Sequence, residues 1–310
     1  MSAATDGTAW RPGESESCMG RRFLALAAGV LVGAGCAAPS GGGTPPASSS
    51  TSVHPTSGGE SAFVPPTHME GDSVVMPVTF PDGTTAELIY RPELDLSSLR
   101  VQPYSSGYAP GFARDFLVLD KPVGEVIGGY EEAELIADYD DGNGGTVGFW
   151  RLPPDGLYLV FQFGSWTVLV YDYGDEAQMS DEDRALWATK FHGRVAETGF
   201  LVLDAEAPLR LAAAGEHAGP ELQFWPRSGD FNPHIQLFPG ECAPYREGEG
   251  FDDIELVGGL AVSRESEDFA AWCVPHASMT VHVYQEPGDT FIDDVLRGLE
   301  IRNVDLASSS

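Results

Sequence analysis

Cationic residues are what this chain of 310 residues most lacks: lysine occurs only at Lys121 and Lys190, and Lys and Arg together number 17 against 47 Asp and Glu. The formal charge of −30 excludes a surface built for nucleic acid or anionic lipid, since both demand a basic footprint. Removing the first 35 residues takes away as many acids as bases and leaves that balance unchanged. No apolar run reaches the ~20 residues that a membrane-crossing helix requires. Catalytic signatures are missing as well: no G-x-S-x-G elbow, no S-x-x-K, no Walker loop and no dinucleotide fingerprint. The seven histidines never fall at H-E-x-x-H or another ligand spacing, so no zinc signature is present.

What the chain does have begins at Arg21 and Arg22, followed by the apolar run Phe23 to Ala34 and then Gly35-Cys36. Two positive charges ahead of about a dozen apolar residues have the layout of a secretory signal. Met19 is read as the start of translation, because the polar, acidic stretch from Met1 to Cys18 suits no signal. Gly33, Ala34 and Gly35 before the cysteine resemble the lipobox of prokaryotic lipoproteins, although Gly33 stands where such boxes usually carry Leu. The resemblance implies acylation of Cys36 and a place on the outer face of the cytoplasmic membrane. An ordinary signal cut near Ala38, with Cys36 discarded, is the alternative. Arg21-Arg22-Phe23-Leu24 is also similar to a twin-arginine signal, lacking the residue that normally separates the pair from Phe. An acidic, lysine-poor domain behind such a signal is similar to tethered lipoproteins of actinobacteria.

Residues 36–62 hold the lipidated cysteine and a tether of Ser, Thr, Pro and Gly, too poor in apolar groups to offset the entropy of ordering. The domain behind it retains two of the four cysteines, Cys242 and Cys273. In an oxidising compartment these form one disulfide, which by loop entropy adds roughly 3–4 kcal/mol.

Two internal matches organise the domain. Residues 87–110 align without gaps on 221–244, with Glu87/Glu221, Leu88/Leu222, Pro92/Pro226, Gln102/Gln236, Ala109/Ala243 and Pro110/Pro244 identical. Further on, "SWTVLVYD" from Ser165 matches "SMTVHVYQ" from Ser278. Tandem duplication is the expectation. Each copy reads as strands followed by a helix: Ser180 caps one carrying Trp187 and Phe191, and Ile292, Val295, Leu296 and Leu299 mark the other. The fold class is therefore α+β, with two tandem two-layer repeats over 63–205 and 206–306, a tail at 307–310, and a signal segment at 1–35. Each repeat is a mostly antiparallel sheet with one C-terminal helix, and the two pack as a pseudo-symmetric pair. The alignment predicts that Tyr108 and Val160 are neighbours, as the counterparts of the two cysteines. It also places about 21 extra residues of the first copy around Phe112 to Tyr130.

One segment has the oxygen-rich character of a calcium loop: Asp138, Asp140, Asp141 and Asn143 in "ADYDDGNGG". Phe149 stands where an EF-hand needs its bidentate Glu, and a surface hairpin turn is the plainer account. No other cofactor is implied. Trp150, Trp166, Trp225 and Trp272, with Tyr104, Tyr108, Tyr171 and Tyr284, are either core or the lining of a groove for glycan or peptide. The expected function is a lipid-anchored, extracytoplasmic, non-catalytic module that binds a protein or glycan and no nucleic acid. A hydrolase of envelope polymers working through unrecognised carboxylates, and a calcium-stabilised adhesion module, are the rivals.

Overall fold

Turn chemistry explains the hairpins from which the fold is assembled. At Pro81-Asp82-Gly83 the glycine adopts φ 91°, Phe80 N–H donates to Thr84 O at 2.8 Å, and the Asp82 carboxylate accepts from Thr84 N and Oγ1. Gly164, at φ 63°, supplies the positive φ that the first central position of a type II′ turn demands. The structure, a computed structural model, describes residues 63–307 apart from 110–111, 155, 173–177, 215, 217–218, 228–232, 241–253, 258–259 and 275–277.

The chain opens with β1 (His68–Glu70), β2 (Ser73–Thr79), β3 (Thr85–Tyr90), β4 (Arg100–Ala109) and β5 (Phe112–Leu119), then α1 (Val123–Gly128). Next come β6 (Glu134–Asp140), β7 (Thr146–Leu152), β8 (Gly156–Phe163), β9 (Trp166–Asp172) and α2 (Asp181–Lys190). Four short strands follow, β10 (Phe191–Val195), β11 (Leu201–Ala205), β12 (Arg210–Leu211) and β13 (Glu221–Trp225). The remainder is β14 (His234–Pro239), β15 (Ile254–Val257), β16 (Leu260–Ser266), β17 (Phe269–Val274), β18 (Met279–Tyr284), α3 (Phe291–Gly298) and β19 (Leu299–Asp305).

Most of these strands join one antiparallel sheet, in the order β15-β16-β17-β18-β14-β13-β4-β5-β9-β8-β7-β6, with β12 beside β4. From the central β13–β4 pair each wing reads outward alike: the next strand in the chain (β14, β5), then the last (β18, β9), then backwards to the edge. Helices α2 and α3 and two small sheets, β1-β2-β3-β19 and β10-β11, lie on one face and the short α1 on the other, so the class is α+β with mostly antiparallel strands. On that face Leu222, Phe224, Ile235, Leu237, Val281 and Val283 pack with Ile292 and Val295 of α3. Phe116, Val118, Phe161, Val168 and Val170 pack with Trp187 of α2. Because side chains alternate along a strand, the intervening residues form the opposite, outer face.

Sequence patterning accounts for the details. β8 is apolar on both sides because it is buried on both: Leu159 and Phe161 join the α2 cluster, Tyr158 and Val160 a smaller outer cluster under Val126 of α1. Ser180 and Asp183 form a reciprocal capping box at the start of α2. That helix ends at Lys190, and Phe191 begins a strand rather than a last turn. At both helix ends the chain goes straight into β structure: Phe191 (φ −100°, ψ 126°) donates to Trp187 O, and Leu299 (φ −101°, ψ 122°) to Val295 O.

Two expectations meet a different arrangement. The strands of the two proposed copies belong to one sheet rather than to two, through the β13–β4 pairing. Tyr108 and Val160 are not neighbours: they lie on β4 and β8, with β5 and β9 between. The first match lays β4 on β14, two strands of the same sheet with β13 between them, so the residues it pairs do not set equivalent contacts. Likewise Phe112–Tyr130 is no appended insertion, since its first part is β5, inside the sheet.

Candidate functional site

Around the β13–β4 centre, three rows of side chains cross the outer face. The middle row is Gln102, Gln223, Gln236 and His282, one from each of β4, β13, β14 and β18, in register. To one side Trp225 stacks on His234 (centroids 4.2 Å apart, 15° between planes), and His234 on Tyr284 (4.1 Å, 10°). Phe269 closes that row against Tyr284 at 4.8 Å. To the other side Tyr104 lies opposite Glu221, and Phe238 tilts onto His282 at 4.7 Å.

A hydrogen-bonded chain runs down β13. Trp225 Nε1 donates to Gln223 Oε1 at 3.0 Å, which fixes the amide so that Gln223 Nε2 donates to Glu221 Oε1. Glu221 is only 7% exposed, and burial pushes its carboxyl up to about 7 against the stabilising Gln223 bond. Burial lowers His282 to about 4, with the neighbouring His234 adding to the shift. The Tyr104 hydroxyl is raised by burial, then by the charges of Asp115 and Glu221. Near neutral pH the middle row thus holds three amides and a neutral imidazole. In a chain of net charge −30, this is a concentration of uncharged hydrogen-bonding groups beside aromatic rings.

The residues singled out by sequence disperse. Trp225, Tyr284 and Tyr104 share this face. Trp166 and Trp272 are core, at 1% and 3% exposure. Trp150 and Tyr171 pack in the cluster under α1, while Tyr108 carries the Arg210 guanidinium 4.1 Å above its ring. No motif or spacing marks the glutamines of the row. Their one signal was the Gln102/Gln236 identity, which the structure places two strands apart in one row.

Asp138, Asp140, Asp141 and Asn143 lie at the β6–β7 turn, where the carboxylates serve the backbone. Asp141 Oδ1 accepts from Asn143 N and Gly145 N, both at 2.8 Å, and Asp140 Oδ1 from Gly142 N at 2.7 Å. Those amide bonds hold the Asp141 carboxyl below its ordinary value. Among the described residues no group of three or more His, Cys, Asp or Glu is placed to hold a metal. No described helix is long and apolar enough to cross a membrane. Cys36 and Cys242 lie outside the described residues; Cys273 is on β17, opposite Thr280 of β18. Comparison with protein-family models, curated proteins and solved structures finds no match to this chain.

Proposed function

We propose that this is a lipid-anchored, extracytoplasmic protein, fastened through Cys36 to the outer face of the cytoplasmic membrane, whose domain binds a neutral, polyhydroxylated ligand without transforming it. The observation that carries the reading is the Gln102–Gln223–Gln236–His282 row beside the Trp225–His234–Tyr284 stack. Amides offer paired donors and acceptors, and aromatic faces offer apolar area with a polar rim. A glycan presents matching hydroxyl and C–H surfaces, and needs no charge that an acidic chain would repel.

The experiment is titration of the full chain with neutral oligosaccharides from envelope polymers, followed by tryptophan fluorescence. Trp225→Ala or Gln236→Ala is expected to weaken binding at least about tenfold, a loss of roughly 1.4 kcal/mol. Failure of every neutral glycan to bind, or unchanged binding by both variants, overturns the reading. A hydrolase is the second reading: burial raises the Glu221 carboxyl to about 7, which suits it to donate the proton that glycoside hydrolysis takes from its acid. Turnover of such glycans, abolished in Glu221→Gln, would select it.

The domain is a duplication whose copies form a pseudo-symmetric pair. Support comes from the shared wing order, from the helix-to-strand junctions, and from registers that superpose. Leu119 opposite Thr167 corresponds to Phe238 opposite Thr280, and Phe163 opposite Trp166 to Val274 opposite Met279. Pro103 and Leu222 face each other at the centre. This correspondence also supports the Cys242–Cys273 disulfide. Val123 N–H donates to Gln162 Oε1 at 2.6 Å in the first wing, and counting along the chain sets Cys242 at the place of Val123 and Cys273 at that of Gln162.

A further inference from the structure

The large sheet ends at β6, whose ladder among the described residues is with β7 alone. Seven residues at about 3.3 Å each give an edge of roughly 23 Å, with one side of its backbone donors and acceptors turned away from the sheet. Leu135 and Ile136 are 43% and 42% exposed, adjacent members of a small set of exposed large apolar side chains. A bulge between Leu135 and Ala137 leaves Ile136 without a partner on β7.

Charge decides what fits beside them. From Glu131 to Asp141 the sequence carries six carboxylates and neither Lys nor Arg. Arg151, the cation across the ladder, is engaged with Glu134. Bulges and charges are how exposed edges are guarded against indiscriminate pairing. Here the guard has a single sign. It repels acidic chains, including a second copy of this one at net charge −30, and attracts a cationic strand whose apolar side chains can cover Leu135 and Ile136.

We propose that the β6 edge is a docking site for an extended, basic segment of a partner protein, which adds as a further strand and seats alternate apolar side chains on Leu135 and Ile136. Main-chain bonds supply the affinity of such strand addition and side-chain pockets its selectivity. This surface is separate from the glutamine row and stands without the ligand reading above.

The probe is an acetylated octapeptide of alternating Lys and Val, labelled for fluorescence anisotropy and titrated with the full chain at low salt. A second peptide of the same sequence, N-methylated at alternate residues, has the same charge and cannot complete a ladder. The unmodified peptide is expected to bind, the N-methylated one to bind at least about tenfold more weakly, and binding to weaken as salt rises. Leu135→Lys/Ile136→Lys, with its fold checked by near-ultraviolet circular dichroism, is expected to lose at least about tenfold as well. Equal binding of the two peptides means diffuse attraction to an acidic surface and overturns the proposal, as does absence of binding or an unaffected edge variant. Because the N-methylation comparison uses the unaltered protein, it decides the matter even where the variant misfolds.

Discussion

The two wings of the large sheet share a strand order and differ in what closes the face turned away from α2 and α3. Over β8 and β9 that face is apolar, with Tyr158, Val160 and Leu169 packed under Val126 of α1. Over β14, β17 and β18 it carries Gln236, His282, Tyr284 and Phe269 instead. The face under α2 and α3 is conservative by comparison, aliphatic and aromatic apart from charged groups such as the Asp172–Arg184 pair. One wing is specialised for packing on both sides, while the other keeps its core on one side and leaves hydrogen-bonding groups on the other. Binding chemistry is therefore expected in the second wing, where a polar outer row is not needed to hold the fold together.

The sharpest way to break the comparison lies where each wing hands its last strand to its helix. In the first wing Asp172, 1% exposed, accepts from Arg184 Nη2 at 2.9 Å and from Met179 N at 2.6 Å. In the second, Gln285 occupies the matching place, accepting from Ile292 N at 2.7 Å and donating to Asp289 O at 2.9 Å. The same joint is thus made once with a buried ion pair and once with a neutral amide. Asp172→Ala leaves the buried Arg184 guanidinium with only the exposed Asp181 carboxylate as an ion-pair partner and is expected to cost about 3–5 kcal/mol. Gln285→Ala leaves only neutral groups unpaired and is expected to cost about 1–3 kcal/mol. Urea unfolding of both variants measures the difference, and equal losses would mean that the ion pair is no more than a hydrogen bond in this setting.

The clip over the outer face differs in the same way, a glutamine amide in one wing and the proposed disulfide in the other. Reduction, or Cys273→Ser, is expected to cost roughly 3–4 kcal/mol, whereas Gln162→Ala, which frees the Val123 N–H and the Gly164 and Trp166 carbonyls near the surface, is expected to cost about 1 kcal/mol. Thermal melts with and without reductant test this; a melt of the unaltered chain indifferent to reductant would remove the disulfide.

Much of the architecture was legible in the sequence, for identifiable reasons. Gly83 and Gly164 marked their turns because only a residue without Cβ sits easily at positive φ. The capping box at Ser180 and the helical spacing of Ile292, Val295 and Leu296 were readable because helix contacts are local. Pairing between distant strands was not. Whether β4 lies beside β13 depends on residues more than a hundred positions apart, and such pairing is invisible to composition. The outer row was hidden for the same reason: Gln102, Gln223, Gln236 and His282 come from four separate segments and carry no local pattern. The loop of Asp138, Asp140 and Asp141 shows the converse, since a run of carboxylates reads as a cation site until their backbone partners are known.

At the centre of the sheet the proposed correspondence of the wings sets Glu221 of β13 against Gln102 of β4. The Glu221 carboxyl is raised from 4.5 to about 7 by burial, so the folded state holds its proton more tightly than the unfolded state does. Stability from this group is complete below about pH 4.5 and is lost as pH climbs through 7, because ionising a desolvated carboxyl costs free energy. His282 acts in the opposite sense, since its lowered value removes stability only as pH falls below its ordinary range. Glu221→Gln keeps the acceptor for Gln223 and cannot ionise. It is expected to stabilise the protein by about 2–3 kcal/mol at pH 8 and to change little at pH 4.5. Urea titrations at the two pH values measure this, and an equal effect at both would show that the Glu221 proton is not what distinguishes the two sides of the centre.

The smallest effect is expected at the β6–β7 turn, where the calcium reading and the hairpin reading part. Asp141 already accepts two backbone N–H groups and Asp140 a third, so a cation entering the loop must displace bonds that shape the turn. Coordination by hard oxygen ligands is favourable only where enough oxygens converge without that loss. Millimolar calcium is therefore expected to leave the melting temperature of the unaltered chain where it stands, and Asp138→Ala/Asp140→Ala to behave alike with and without the ion. A calcium-dependent rise in melting temperature that the double variant abolishes would reverse this assignment and make the first wing, rather than the second, the one that binds.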